Sequence, residues 1–162
     1  MAEVESSSDA AGLDAVDRHI LRLLQADGRR TNVDIAREVG LTPSPCLRRI
    51  RYLEQRGYIT GYAAVLNPVL LRRNLDVVVM VELVDQRRET LAAFEEAVLR
   101  LDDVLACYLI AGEADYLLTV AVADLEAYHR VFTEKLGELP GVTSIKSLIT
   151  MKTVKEGRTL PV

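Results

Sequence analysis

The stretch Thr42-Pro-Ser-Pro-Cys-Leu-Arg-Arg-Ile-Arg-Tyr-Leu-Glu-Gln-Arg-Gly57 decides how the N-terminal part of this chain folds. It has the marks of one short helix. Thr42 has the chemistry of an N-cap that accepts a backbone N–H, and Pro43 fits the first helical position, where no N–H is needed. Gly57 can take the left-handed conformation that ends a helix. At about 100° per residue, Cys46, Leu47, Ile50 and Leu53 gather on one side. Ser44, Arg48, Arg51 and Gln55 gather on the other, within a segment that holds four arginines and no lysine. That second face suits a DNA major groove. Arginine forks pair with guanine edges or phosphates, glutamine grips adenine, and serine reaches a phosphate.

An arginine-rich face alone is more often a solvated surface. Its neighbours change that reading. Upstream lies Thr31-Asn-Val-Asp-Ile-Ala-Arg-Glu-Val-Gly40. Thr31 and Asp34 resemble a capping box with Asp in place of Glu, and Val33, Ile35, Ala36 and Val39 supply an apolar stripe. Only Leu41 separates Gly40 from the cap at Thr42, so the two helices must cross steeply, as in a helix-turn-helix. A third helix precedes them, capped by Asp14, with Val16, Ile20, Leu23 and Leu24 at helical spacing. Charge follows the same division. Residues 13–61 hold nine Arg, no Lys and six acids, a local excess of +3 in a chain of net charge −4. Overall acidity argues against indiscriminate coating of DNA, and the local excess sits where a nucleic acid would dock.

The chain has 162 residues, room for one large or two small domains. It has no apolar run long enough to span a membrane and no apolar signal core. Cys46 and Cys107 form neither a metal spacing nor a disulfide framework, so both read as small core residues in a reducing, cytoplasmic protein. No metal site or cofactor fingerprint is present. A hydrophobic content of 49% is high for a chain this small and hints at apolar surface shared between subunits.

Residues 1–12 have the composition of a disordered tail. The helix-turn-helix domain spans 13–61, and 62–74 is a linker, with Tyr58–Pro68 a possible strand leading out and Asn67-Pro68 a turn signal. Residues 75–162 form a second domain. Asp76–Leu83, Val104–Ala111, Tyr116–Val122 and Val142–Val154 read as strands. Thr90 is placed to cap a helix to about Leu101, with Leu91, Phe94, Val98 and Leu101 inward. Asp124 is placed to cap a helix to about Leu139, with Tyr128, Val131, Phe132 and Leu136 inward. The order β-α-β-β-α-β predicts an α+β, ferredoxin-like domain with both helices on one sheet face. Tyr108, Ile110, Leu118 and Val120 are candidates for the bare face, which a second copy would cover most simply.

With these segments in this order, the chain from Leu13 onward resembles the Lrp/AsnC family, the leucine-responsive or feast/famine regulators. The resemblance rests on Leu13-Asp-Ala-Val-Asp-Arg-His-Ile-Leu21, Asn32-Val-Asp-Ile-Ala36, Val39 through Ile50, Leu53-Glu-Gln-Arg-Gly-Tyr-Ile59, Gly112-Glu-Ala-Asp-Tyr-Leu-Leu118 and Leu139-Pro-Gly-Val142. It implies a transcription factor with a plain or winged N-terminal helix-turn-helix. It also implies a C-terminal domain that assembles dimers into octamers or similar rings and senses an amino acid. The recognition helix maps onto Pro43–Arg56. DNA contacts are then expected from Thr42, Ser44, Pro45, Arg48, Arg49, Arg51 and Gln55, with Arg56 on the flank. The effector pocket, expected where dimers meet, maps onto Gly112, Glu113, Ala114, Asp115 and Tyr116, with Leu148, Ile149 and Thr150 of the last strand facing the same region. Asp115 can accept from an ammonium group, and the Gly112 turn can offer N–H groups to a carboxylate. The plain alternative is a hairpin turn whose Asp satisfies its own backbone.

Two other classes remain in view. Sirohaem decarboxylases resemble this family in fold, so the fold does not exclude catalysis on a tetrapyrrole. Such an enzyme needs imidazole and basic groups, and the chain offers only His19 and His129. Each reads as a surface or packing residue, and no nucleophile–base pair appears. The third class is an assembly module without specific DNA binding, which the intact arginine face disfavours.

Overall fold

The computed structural model describes residues 12–155 and 159–162. The segment expected to be a tail lies outside the described residues, apart from Gly12. The chain divides into two compact units. One holds the described residues from Gly12 to Val65 together with 159–162, and the other begins at Leu66.

The first unit is three helices: α1 (Ala15–Ala26), α2 (Asn32–Glu38) and α3 (Pro43–Gln55). Asp14 caps α1, accepting the Asp17 N–H, while the Asp17 carboxylate receives the Asp14 N–H in return. Thr31 caps α2 by accepting from Asp34 N, and its hydroxyl donates to the Asp34 carboxylate. Gly40 ends α2 at φ +70°, and the Leu41 N–H donates to the Ala36 carbonyl at 2.8 Å. That left-handed residue is what lets so short a connection turn. The shared core is Ile20, Leu21, Ile35, Ala36, Cys46, Ile50 and Leu53. Two stripe residues do not reach it. Val33 is 53% exposed and Leu47 37% exposed, because a helix of this thickness buries only its central rows.

Tyr58–Pro68 forms no strand. A strand needs a ladder partner, and no described segment offers one. At Asn67, instead, the side-chain oxygen accepts from Val69 N and Leu70 N and starts a turn.

The second unit is β1 (Leu75–Leu83), α4 (Arg88–Val98), β2 (Val104–Leu109), β3 (Tyr116–Val122), α5 (Leu125–Val131) and β4 (Val142–Ile149). The sheet order is β2-β3-β1-β4, all antiparallel, the split βαββαβ arrangement expected. Several boundaries differ from expectation, among them the end of β2, which falls at Leu109 rather than Ala111. Helix α4 starts at Arg88, so Thr90 lies inside its first turn and donates to Asp85, which also receives Arg87 N. Helix α5 continues into a π-helical turn, Phe132–Leu136, before Pro140. The last strand stops at Ile149, with Thr150 N donating to the Asp76 carbonyl.

Both helices pack on one face. Val77, Val79, Val81, Phe94, Tyr116, Leu118, Val120 and Leu136 form its centre. The rings of Phe94 and Tyr116 lie 4.5 Å apart. Leu118 and Val120, expected on the bare face, are fully buried under the helices. Period-two alternation instead puts Val78, Met80, Tyr108, Leu117 and Leu148 on the bare face, as their pairings across the sheet require. Among the described residues no helix is long and apolar enough to cross a membrane.

Candidate nucleic-acid interface and effector site

Helix α3 presents Ser44, Arg48, Arg51 and Gln55 to solvent on one face. Arg48 and Arg51 make no ion pair with the described residues, so their guanidinium forks are free. Thr42 occupies the cap position with extended backbone, yet its side chain makes no cap hydrogen bond. The cause is local: Pro45 stands at the third helical position, where the capping partner is usually an N–H, and proline has none. Pro45 itself is half-buried. The Thr42 hydroxyl and the Ser44 N–H are thus left at the positive end of the helix.

Arg49 is the exception among the expected DNA contacts. Its Nη1 donates to Asp14 at 2.7 Å and to Asp17 at 2.8 Å. Asp17 is buried, and the two carboxylates raise the Arg49 pKa. The hydrogen bond from Asp17 N, joined by the Arg49 bond and charge, holds the Asp14 carboxyl below its usual value against the opposing push of burial. Arg49 locks α3 to the start of α1 rather than joining the exposed face. Arg56 lies over the Tyr52 ring, 5.6 Å from its centroid.

Sequence reasoning missed two residues here. Asn32 Nδ2 donates to the Pro43 carbonyl at 2.9 Å, which ties the start of α2 to the start of α3. Nothing in the helical spacing signals it, because the contact depends on the crossing of the helices. Leu47, on the stripe expected to face inward, is instead partly exposed, one helical turn from Arg51. Cys46 is buried, and burial pushes its thiol pKa up.

In the second unit, Gly112–Asp115 forms the β2–β3 turn. Asp115 is internally committed. One carboxylate oxygen accepts from Leu83 N and the other from Gln86 Nε2, both at 2.7 Å. Its own N–H donates to the Val81 carbonyl, and its carbonyl accepts from Ile110 N. Asp115 thereby holds the β1–α4 loop against the turn. Glu113 is exposed and Ala114 buried. Tyr116 is 1% exposed, with its hydroxyl on Glu95 at 2.7 Å, and burial pushes its pKa well up. It is a core residue with no open edge. Burial likewise pushes the Cys107 thiol up to about 11. A cavity of about 490 Å³ lies elsewhere in this unit, near Arg73 and Lys135. The cavity at the turn is about 390 Å³, lined by Gln86, Leu91, Leu109, Ile110, Gly112 and Ala114 among others.

Gly112 does not need to be glycine for anything inside this chain. Its φ is not positive, and a Cβ there would meet nothing within 4 Å. The expected companions on β4 are also elsewhere. Leu148 and Ile149 pair with Val78 and Val77, at the start of β1, whereas Asp115 sits at its end, by Val81 and Leu83. Four residues of strand separate the two places, about 13 Å. Both β3 and β4 run antiparallel to β1, so the start of β3 and the end of β4 fall at opposite ends of it. One chain does not bring the two halves of the expected pocket together. His19 is half-buried and His129 exposed, on separate units.

The sequence matches the AsnC-type helix-turn-helix domain over residues 13–54 and the Lrp/AsnC ligand binding domain over residues 76–160. It is 42% identical over 148 residues to the leucine-responsive regulatory proteins of Klebsiella pneumoniae and Escherichia coli K12, covering 91% of this chain and 90% of theirs. The fold superposes on a transcriptional regulator of Neisseria meningitidis, solved as an L-methionine complex. That match has a TM-score of 0.88 and 35% identity, and covers 92% of this chain and 96% of the other. An AsnC family regulator of Agrobacterium tumefaciens gives a TM-score of 0.87 and 34% identity, covering 92% and 97%. With an arginine-faced second helix of a helix-turn-helix ahead of a four-stranded ligand-binding unit, the chain belongs to the Lrp/AsnC family of transcriptional regulators.

Proposed function

We propose that this regulator binds DNA through Ser44, Arg48, Arg51 and Gln55, and that a small amino acid alters its assembly or its DNA affinity. The observation that carries the DNA part is the contrast along α3: Arg49 is spent on Asp14 and Asp17, while Arg48 and Arg51 are exposed and form no ion pair with the described residues. Thr42 and Ser44 suit a phosphate at the helix start, with Pro45 shaping that first turn. Leu47 adds an apolar contact of the kind a thymine methyl accepts. A homodimer would present two such helices about 34 Å apart, so the site is a pseudo-palindrome.

The effector reading is supported by the cavity beside Gly112 and by the L-methionine bound to the Neisseria meningitidis relative. The lining residues Leu91, Leu109, Ile110 and Ala114 suit an apolar side chain. The separation of Gly112–Asp115 from Leu148–Thr150 favours a pocket completed by another copy, as in a ring such as an octamer. Effector binding then acts by favouring one assembly over another, since equal binding to both shifts nothing.

The test is fluorescence anisotropy on DNA from directly upstream of the protein's own gene against an unrelated duplex, at about 0.15 M salt. A preference of about a thousandfold is expected. Equal binding to the two duplexes, and to fragments selected from a random library, overturns specific recognition. A panel of the proteinogenic amino acids that alters neither affinity nor sedimentation overturns the effector reading.

A further inference from the structure

The C-terminal residues are seated on the helical unit. The Leu160 N–H donates to Gln25 Oε1 at 2.8 Å, and Gln25 Nε2 donates back to the Leu160 carbonyl at 3.1 Å. The side-chain amide thus offers the donor–acceptor pair that the peptide of a neighbouring strand would offer. Arg22 Nη1 donates to the Val162 main-chain oxygen at 2.7 Å. The Val162 side chain packs on the cluster formed by Ile20, Leu21 and their neighbours. Beside the seat is a cavity of about 360 Å³ lined by Leu21, Leu24, Tyr58, Ile59 and Tyr62.

Segment 159–162 is held at three hydrogen bonds and one apolar side chain, and the covalent connection gives it a high local concentration at its seat. The connectivity adds a consequence. The chain leaves the helical unit after Val65 and belongs to it again at 159–162. Docking therefore anchors the ligand-binding unit to the DNA-binding unit at both of its ends.

We propose that the surface of α1 around Arg22 and Gln25 is a docking site for the chain's own segment Thr159–Val162, and that the docked segment is a second tie restricting the directions in which α3 is presented. A unit tied once swivels on its linker, whereas a unit tied twice has fewer orientations to lose on binding DNA. The second tie thus sharpens discrimination between half-site spacings without touching DNA. This rests on the dimeric, DNA-binding reading above.

Two measurements on the full-length protein test it, with Gln25→Ala and deletion of 159–162 as variants. Neither touches the α3 face. In hydrogen exchange, the Leu160 amide of the wild type is expected to exchange at least about tenfold more slowly than in Gln25→Ala. Equal rates overturn the docking. In anisotropy, three duplexes selected by the wild type are compared: a single half-site, two half-sites at the selected spacing, and two with about 5 bp inserted, half a helical turn. The wild type is expected to lose about thirtyfold on insertion, both variants about threefold or less, and all three to bind the single half-site alike. Equal losses for wild type and variants overturn the second tie. A wild type indifferent to spacing also overturns it. Sedimentation of the same sample and its single-half-site affinity then show whether the dimer or the DNA reading has failed as well.

Discussion

Helix α3 and the β2–β3 turn differ in how much of their chemistry one chain supplies. The exposed face of α3 is complete within thirteen consecutive residues, because a helix repeats its face every three to four positions. The turn at Gly112–Asp115 is incomplete: its carboxylate is bonded to Leu83 and Gln86, its glycine faces open space, and its expected companions on β4 sit at the other end of β1. Local chemistry suits the groove of DNA, which arrives whole. Under the proposed effector reading, a divided site exists only in the assembly that completes it.

The comparison breaks first at the arginines. Arg48→Ala or Arg51→Ala should weaken specific binding by about 1–3 kcal/mol, roughly 5- to 150-fold, with unchanged thermal unfolding. Specific affinity within twofold of wild type for both would remove this face from recognition. Arg49→Ala should instead act on stability, by about 1–3 kcal/mol in denaturant, because buried Asp17 loses its cation. If Arg49→Ala left the midpoint unmoved, the division of labour along α3 would be wrong.

Glycine substitutions sharpen the other half. Gly141 has φ +75°, and a Cβ there would stand 2.8 Å from Thr90 Cγ2, whose residue is fixed by its bond to Asp85. Gly141→Ala should cost about 1–3 kcal/mol. Gly112→Ala should cost less than about 0.5 kcal/mol and still impair the effector response, if another copy fills the space beside it. A wild-type response in Gly112→Ala would point to a pocket contained in one chain.

The smallest expected effect lies at low pH. Asp103 is buried, which by itself raises its pKa, but Lys135 at 2.5 Å and Arg73 beside it prevail and hold the carboxyl below its ordinary value. A lowered folded value means that the stabilisation is present above the unfolded pKa of about 3.9 and is lost as pH falls through the folded one. Unfolding of the second unit should therefore show an acid limb below about pH 4 that is shallower in Asp103→Asn. An identical limb in both proteins would assign it to other carboxylates.

The helices, strands and their order were legible because each follows a period in the residues: Ile20, Ile50 and Leu53 for the first unit, Val77, Val79 and Val81 for the second. The arginine face was legible for the same reason, except for Arg49. Its direction depends on where α1 lies, and Asp14 and Asp17 are more than thirty residues away in sequence. Asn32 and Gln25 were illegible, since each bonds main chain brought in from another segment.

By itself, then, the sequence determined that three short helices precede a split βαββαβ unit, where those helices and strands lie, and which residues of α3 share a face, while the strand it suggests at Tyr58–Pro68 does not form. These are periodic properties, written in neighbours three, four or two residues apart. Tertiary structure alone decided that Arg49 is an internal lock, that Leu118 and Val120 lie under the helices and Leu117 on the bare face, and that Asp115 and Leu148 are at opposite ends of β1. The physical reason is that strand register and helix crossing are set by burying the two cores, and they place residues distant in sequence against one another in ways no local pattern encodes.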